Sequence, residues 1–236
     1  MKKIFVLIII STCFLISCKE SFLDQDLNSS QIIADNYYNS DSEVETAATT
    51  SYTFIDYSDW WQNQWLRAVN ETASDNAWIG INGGQATALQ IAQYTLNGEN
   101  DRIEAHWIML YKAIYRFNAI IEGIEKANNV NPTLKARTIA ELKFLRAFQY
   151  VELVRNFGGV PLLTKTLAVN ENTYARSTPA EVYDFLAKDL QEAIAVLPNK
   201  SAYTAVDKFR VSKEAATSLL AKSICMLKMG GGKCHS

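Results

Sequence analysis

The sequence predicts an all-α fold of helical pairs with irregular loops, and three observations predict it. Several segments repeat apolar residues at three-and-four spacing, the period of one helix face. Most of these segments open on a Ser, Thr or Asn cap followed by a first-turn proline or a third-position carboxylate. Only four prolines and ten glycines are present, few for a loop-rich β architecture, and no stretch alternates convincingly as a strand would.

The chain opens with Lys2-Lys3 and an apolar run from Ile4 to Ile16. That is the n-region and h-region of an export signal, too short to cross a bilayer as a helix. Leu15-Ile16-Ser17-Cys18 resembles the lipobox of bacterial lipoproteins, in which the cysteine is acylated and then becomes the first residue. A thiolate is the one strong nucleophile in this stretch. Cys13 fits less well, because it lies inside the apolar run behind β-branched Thr12. An ordinary signal peptide with an incidental cysteine is the alternative. Several acyl chains together hold a protein on a membrane, so a fully lipidated Cys18 is expected to anchor it. Lys19-Glu20 resembles the charged tether of surface-directed lipoproteins.

Residues 18–38 are rich in Asp, Asn, Ser and Gln and are expected to be a lipidated tether and lead-in. Ser40-Asp-Ser-Glu43 is a capping box that starts a helix over about 41–57. A second helix begins near Trp60, but Gly80, Gly83 and Gly84 stop it within "NAWIGINGGQAT". Residues 101–127 place Ile103, Trp107, Tyr111, Ile114, Ile121 and Ile124 on one face. Asn131-Pro132 starts the next helix, which runs to about Asn156. Leu142, Leu145, Phe148, Val151 and Val154 make it apolar on more than one side, so it is expected between neighbours. Gly158, Gly159 and Pro161 end it.

Thr178-Pro179-Ala-Glu181 combines cap, proline and box carboxylate, and Val182, Leu186, Leu190, Ala193 and Leu197 follow as one stripe. Ser212 opens a last helix through Ala215, Leu219 and Ala221 to about Met229. Alanine-rich seams between antiparallel pairs are tetratricopeptide-like, although a strict 34-residue repeat is not visible. The expected division is a signal at 1–17, the tether at 18–38, the helical domain at 39–229 and an atypical tail at 230–236.

Composition narrows the function. Hydrophobic content of 48% and charged content of 20% describe a folded chain. A net charge of −2 gives no basic surface for nucleic acid. Two histidines and scattered cysteines make neither a metal site nor a disulfide framework, and no cofactor motif occurs.

Several segments together resemble one family. They are "SCKESFLD", "WIMLYKAIYRFNAII" at 107–121, "AELKFLRAFQYVELVRNFGGVPL" at 140–162, "RSTPAEVYDFLAKDLQEAIAVLP" at 176–198 and "RVSKEAATSLLAK" at 210–222. The chain is similar to the SusD/RagB family of outer-membrane nutrient-binding lipoproteins, with the segments in family order. The resemblance implies a tetratricopeptide-like helical scaffold and no catalysis. It also implies capture of an oligosaccharide, or sometimes a peptide, for delivery to a SusC-like TonB-dependent transporter. Family members are considerably longer and their second half contributes ligand surface. The resemblance ends near Met229, and "GGGKCHS" has no counterpart, so a truncated product is expected, with an uncovered last helix.

Sugar recognition needs aromatic faces for stacking and amides or carboxylates for hydroxyls. All five tryptophans lie between Trp60 and Trp107, and the glycine-rich stretch adds Asn70, Asp75, Asn76 and Asn82. The expected ligand-binding residues are Trp78 with Asp75, Asn76 and Asn82. Trp78 either offers its face to a sugar or anchors the loop to the core. The three polar residues either meet hydroxyls or make turns, the usual role of such residues here. Trp107 is expected in the core, Asn118 in a helix-to-helix hydrogen bond and His106 partly exposed. Arg146 is expected in a structural ion pair with Glu141 or Glu152. A peptide-binding helical-repeat adaptor would share the fold. A glycosidase would need two carboxylates across a cleft, and Asp75 has no partner for that role.

Overall fold

A computed structural model describes residues 37–55, 71, 73–74, 76, 86–167 and 173–230. Its elements belong to one compact unit, Tyr38–Ser236. They are α1 (Asp41–Ser51), a 3-10 turn (Tyr52–Ile55), α2 (Ala86–Ala92), α3 (Asp101–Lys126), α4 (Pro132–Phe157), α5 (Pro179–Val196), a short 3-10 turn (Lys200–Ala202) and α6 (Lys213–Gly230). No strand occurs among the described residues. The fold is all-α and tetratricopeptide-like: α3 packs on α4, α4 on α5 and α5 on α6, each against its neighbour in sequence, while α1 lies on α4.

The starts of the helices follow from their caps. Ser40 and Glu43 form a reciprocal capping box on α1, as do Thr178 and Glu181 on α5. Asn100 and Asn131 accept from the first free N–H groups of α3 and α4, and Pro132 fills a first-turn position that needs no donor. The short link between Lys126 and Pro132 makes α3 and α4 an antiparallel pair.

α4 is the central layer, and its buried residues point in several directions. Leu142, Leu145, Tyr150 and Leu153 meet Ile114, Phe117 and Ile124 of α3 and Val182, Leu186 and Leu190 of α5 in one continuous core. All five stripe residues of the α5 segment, Leu197 included, are buried. At the end of α4, Gly158 takes a positive φ of 68°, where a side chain would be strained. Gly159 serves a different need. A Cβ there would lie 2.4 Å from the carbonyl oxygen of Ser177, where the two ends of the α4–α5 connector run side by side.

Three expectations about faces and ends need correction. α1 stops at Ser51 instead of near residue 57, because the chain tightens into the 3-10 turn that carries Tyr52. On α3 the buried face runs through Arg102, His106, Leu110, Ala113 and Phe117, while Ile103, Trp107 and Tyr111 are half-buried beside it. A strict three-and-four line drifts around a straight helix by about 20° per heptad, so a line centred at Ile121 reaches the flank by Trp107. On α6 the buried residues are Ala216, Leu219 and Ser223, whereas Ala215 and Ala221 are exposed. Ala221, two positions from Leu219, falls on the opposite face. The helix expected from Trp60 lies outside the described residues, and α2 was not expected at all.

Candidate functional site

Of the expected ligand residues, Asn76 is exposed in a bend, while Asp75, Trp78 and Asn82 lie outside the described residues. So does Cys18. The flank of that stretch is visible in α2, which buries Ala88 and Ile91 against Ala73. Asn100 ties α2 to the start of α3, donating to the Thr87 carbonyl at 2.9 Å and to Gln90 at 2.8 Å. Arg102 Nε adds a bond to Thr87 Oγ1 at 3.1 Å. Just past α2 stands Tyr94, 71% exposed and with a positive φ of 55°. It is the one described non-glycine residue in that region of backbone space. Its hydroxyl donates to the Ala73 carbonyl, which sets an exposed aromatic ring beside the expected binding stretch. Sequence reasoning missed Tyr94, because a Gln-Tyr-Thr sequence carries no mark of a left-handed turn.

The buried polar groups are structural. Arg146 pairs with Asp189 of α5, not with Glu141 or Glu152, through Nε–Oδ2 at 2.8 Å and Nη2–Oδ1 at 2.9 Å. Its Nη1 also donates to Asn118 Oδ1 at 2.7 Å. Asn118 in turn donates to the carbonyls of Leu163 and Lys165, at 2.9 and 3.1 Å, so it ties down the connector as well as meeting α4. Tyr150 accepts from the Leu163 N–H at 2.7 Å, and Glu122 accepts twice from Thr166 at 2.6 Å. Burial raises the Asp189 pKa, against the pull of Arg146. The sequence distances mislead here: Glu141 and Glu152 are near Arg146 along α4 but point elsewhere.

His106 is also corrected. It is buried rather than partly exposed, and its ring stacks on Phe157 with centroids 6.3 Å apart. Burial pushes its pKa down to about 4. Trp107 packs edge-on against Phe157 at 5.0 Å and beside Tyr111 at 4.9 Å, a half-buried structural role close to the one expected.

A second polar cluster joins α1, α4 and the loop before α6. Buried Glu141 accepts from the Tyr52 hydroxyl at 2.9 Å and from Arg210 Nη1 at 3.0 Å. Arg210 also pairs with Glu45, and with Asp207 at 2.8 Å. Arg137 reaches Glu45 at 2.8 Å. Burial works against the Arg210 charge, but Glu141, Asp207 and Glu45 outweigh it and raise its pKa. Arg210 holds Asp207 as a carboxylate, with its pKa lowered. Above this cluster opens a cleft of about 490 Å³, lined by Glu45, Thr49, Tyr52, Val206, Phe209 and Arg210. Burial also raises the Glu141 pKa, against the pull of Arg210 and the Tyr52 hydroxyl. Among the described residues no group of three metal-ligating side chains is gathered, and no helix is long and apolar enough to cross a membrane.

Comparison with known proteins agrees with this architecture. Residues 14–224 match the SusD-like family described as starch-binding and associating with the outer membrane. A SusD-like protein of Formosa agariphila is 27% identical over 222 residues, covering 91% of this chain and 41% of its own length. A SusD-like carbohydrate-binding protein of Bacteroides fragilis has a solved structure that superposes with a TM-score of 0.69 at 30% identity. That match covers 82% of this chain and 38% of the other. A laminarin-binding SusD-like protein superposes with a TM-score of 0.72 at 26% identity, covering 82% of this chain and 42% of its own. The chain thus spans about two fifths of the length of these relatives.

Proposed function

The chain belongs to the SusD-like family of carbohydrate-binding, outer-membrane-associated proteins, and from that premise we propose that it binds an oligosaccharide and passes it to a SusC-type TonB-dependent transporter. The carrying observation is the reach of the family match, from the end of the apolar leader into the last helix. Members of the family bind glycans and are not enzymes. In this reading residues 1–17 are the signal and 18–38 the tether. Cys18 carries the lipid that holds the helical domain, 39–229, on the outer face of the membrane, followed by the 230–236 tail.

Trp78 supplies the stacking face, and Asp75, Asn76 and Asn82 meet sugar hydroxyls. Support comes from Tyr94, an exposed ring held beside Ala73 by its own hydroxyl. A backbone in a costly conformation that displays an aromatic ring fits a ligand contact better than a packing role. Titration calorimetry with laminarin and with soluble starch tests the reading. Micromolar to millimolar binding that weakens about tenfold in Trp78→Ala and in Tyr94→Ala is expected. Binding of peptides but of neither glycan would sink it in favour of a peptide-binding adaptor.

A further inference from the structure

We propose that the cleft between the end of α1 and the 203–211 loop is a second oligosaccharide subsite, with Phe209 as its stacking platform and Glu45 and Asp207 as hydroxyl acceptors. The proposal rests on the carbohydrate-binding reading above. Its residues are other than Trp78, Asp75, Asn76, Asn82 and Tyr94.

Phe209 and Val206 are 91% and 87% exposed, the two most exposed large apolar side chains described. Both stand on one short loop. Contiguous exposed apolar surface usually marks a contact site. The loop is not loosely held, because Arg210, next to Phe209, is bound by Glu45, Asp207, Glu141 and Thr49. On the other side of Arg210, Val211 donates its N–H to the Tyr52 hydroxyl at 3.0 Å and accepts from the Tyr203 hydroxyl at 2.6 Å. The apolar pair is therefore displayed from a rigid base, and holding it there costs little further ordering when a ligand arrives.

The cleft beneath has the chemistry of a sugar site. Its volume, about 490 Å³, lies within the ordinary range for small-ligand pockets, roughly 300–1,000 Å³. Phe209 and Val206 give apolar lining for the C–H face of a pyranose, and Glu45, Thr49, Asp207 and Arg210 give polar lining. Each ionised carboxylate has about four acceptor positions, and the guanidinium contacts leave Glu45 and Asp207 with acceptors to spare. The Glu45 side chain is 39% exposed and that of Asp207 28% exposed, so both remain reachable. Arg210, the cation among the residues that line the cleft, already faces those carboxylates. Glu45 and Asp207, both reachable from solvent, would repel an incoming anion. The ligand class is accordingly a neutral oligosaccharide, not a uronate or a sulfated glycan.

Hydroxyl-radical footprinting of the full chain, with and without maltoheptaose or laminarihexaose, reads oxidation at Phe209 and at Trp78 separately. Calorimetry with the same sugars compares wild type with Phe209→Ala. So exposed a side chain can be shortened without a cavity, and a matching thermal melt checks that. Expected are protection of Phe209 by the neutral sugar, about tenfold weaker binding in Phe209→Ala, and no protection by a galacturonate oligomer. Protection of Trp78 alone, with Phe209→Ala binding as wild type does, overturns this subsite and leaves the glycan-binding reading standing. No binding of either neutral sugar overturns both. Protection of Phe209 that follows protein concentration rather than sugar makes the loop a protein contact, and likewise overturns the subsite.

Discussion

Arg146 of α4 and Asp189 of α5 make a bidentate ion pair with both side chains only 6% exposed, and Nη1 of the same guanidinium donates to Asn118 of α3 and to the Thr164 carbonyl. Three successive helices are thereby cross-linked at one point inside an apolar core. Asn118 passes the constraint on to the connector through the Leu163 and Lys165 carbonyls. A paired buried charge contributes little net stability, but it penalises any arrangement of the helices that separates the partners.

Removing one partner leaves the other charge buried and alone. Asp189→Ala is therefore expected to destabilise by about 3–5 kcal/mol. The double variant Asp189→Leu with Arg146→Met should recover most of that. Urea denaturation measures both, and a single-variant loss below about 1 kcal/mol would show that the pair is inert.

His106 makes stability depend on pH. Its folded pKa, about 4, lies below the unfolded value of 6.5, so the unfolded chain binds more protons between those limits. Stability should rise with pH across that window and fall away as pH drops from 6.5 towards 4. Up to roughly 3 kcal/mol is at stake, from the size of the shift. His106→Phe keeps an aromatic ring on Phe157 and should flatten the curve in that range. Equal slopes for the two proteins in denaturation melts at pH 4.5 and 7 would contradict the assignment.

Gly159→Ala drives a Cβ into the Ser177 carbonyl, which is backbone and cannot swing aside. A loss of about 1–3 kcal/mol is expected, the usual cost of overpacking. At Gly98 no atom lies within 4 Å of the added Cβ, so Gly98→Ala is the neutral control. Matching melting temperatures for the two variants would refute the close approach.

Cys18→Ala should move the protein from the membrane fraction to the soluble fraction after expression in a bacterium that processes lipoproteins. On the proposed lipidation of Cys18, the variant carries no acyl chains and so lacks the anchoring energy of their methylenes. Retention on the membrane, read by fractionation and blotting, would mean that something other than Cys18 holds it there.

Local chemistry by itself determined the helical character of this chain and most of its helix starts. Ser40, Asn131 and Thr178 announce their helices because a cap satisfies nearby N–H groups, within three residues. The α5 stripe was legible for a similar reason, since one helix face meets one neighbour. The family resemblance was legible too, because the segments that carry it lie in order along the chain.

Tertiary structure alone decided what depends on distant partners. Arg146 found Asp189, 43 positions along the chain, instead of the nearer Glu141 and Glu152. Glu141 was taken by Tyr52 and Arg210, 89 and 69 positions away. Periodicity reports which residues share a face but not how the helix is rotated against its neighbours, so His106 went inside and Trp107 moved to the flank. Tyr94 and Phe209 were silent in the sequence for the same reason. An aromatic residue is by default a core residue, and only the packing of everything around it can leave it facing solvent.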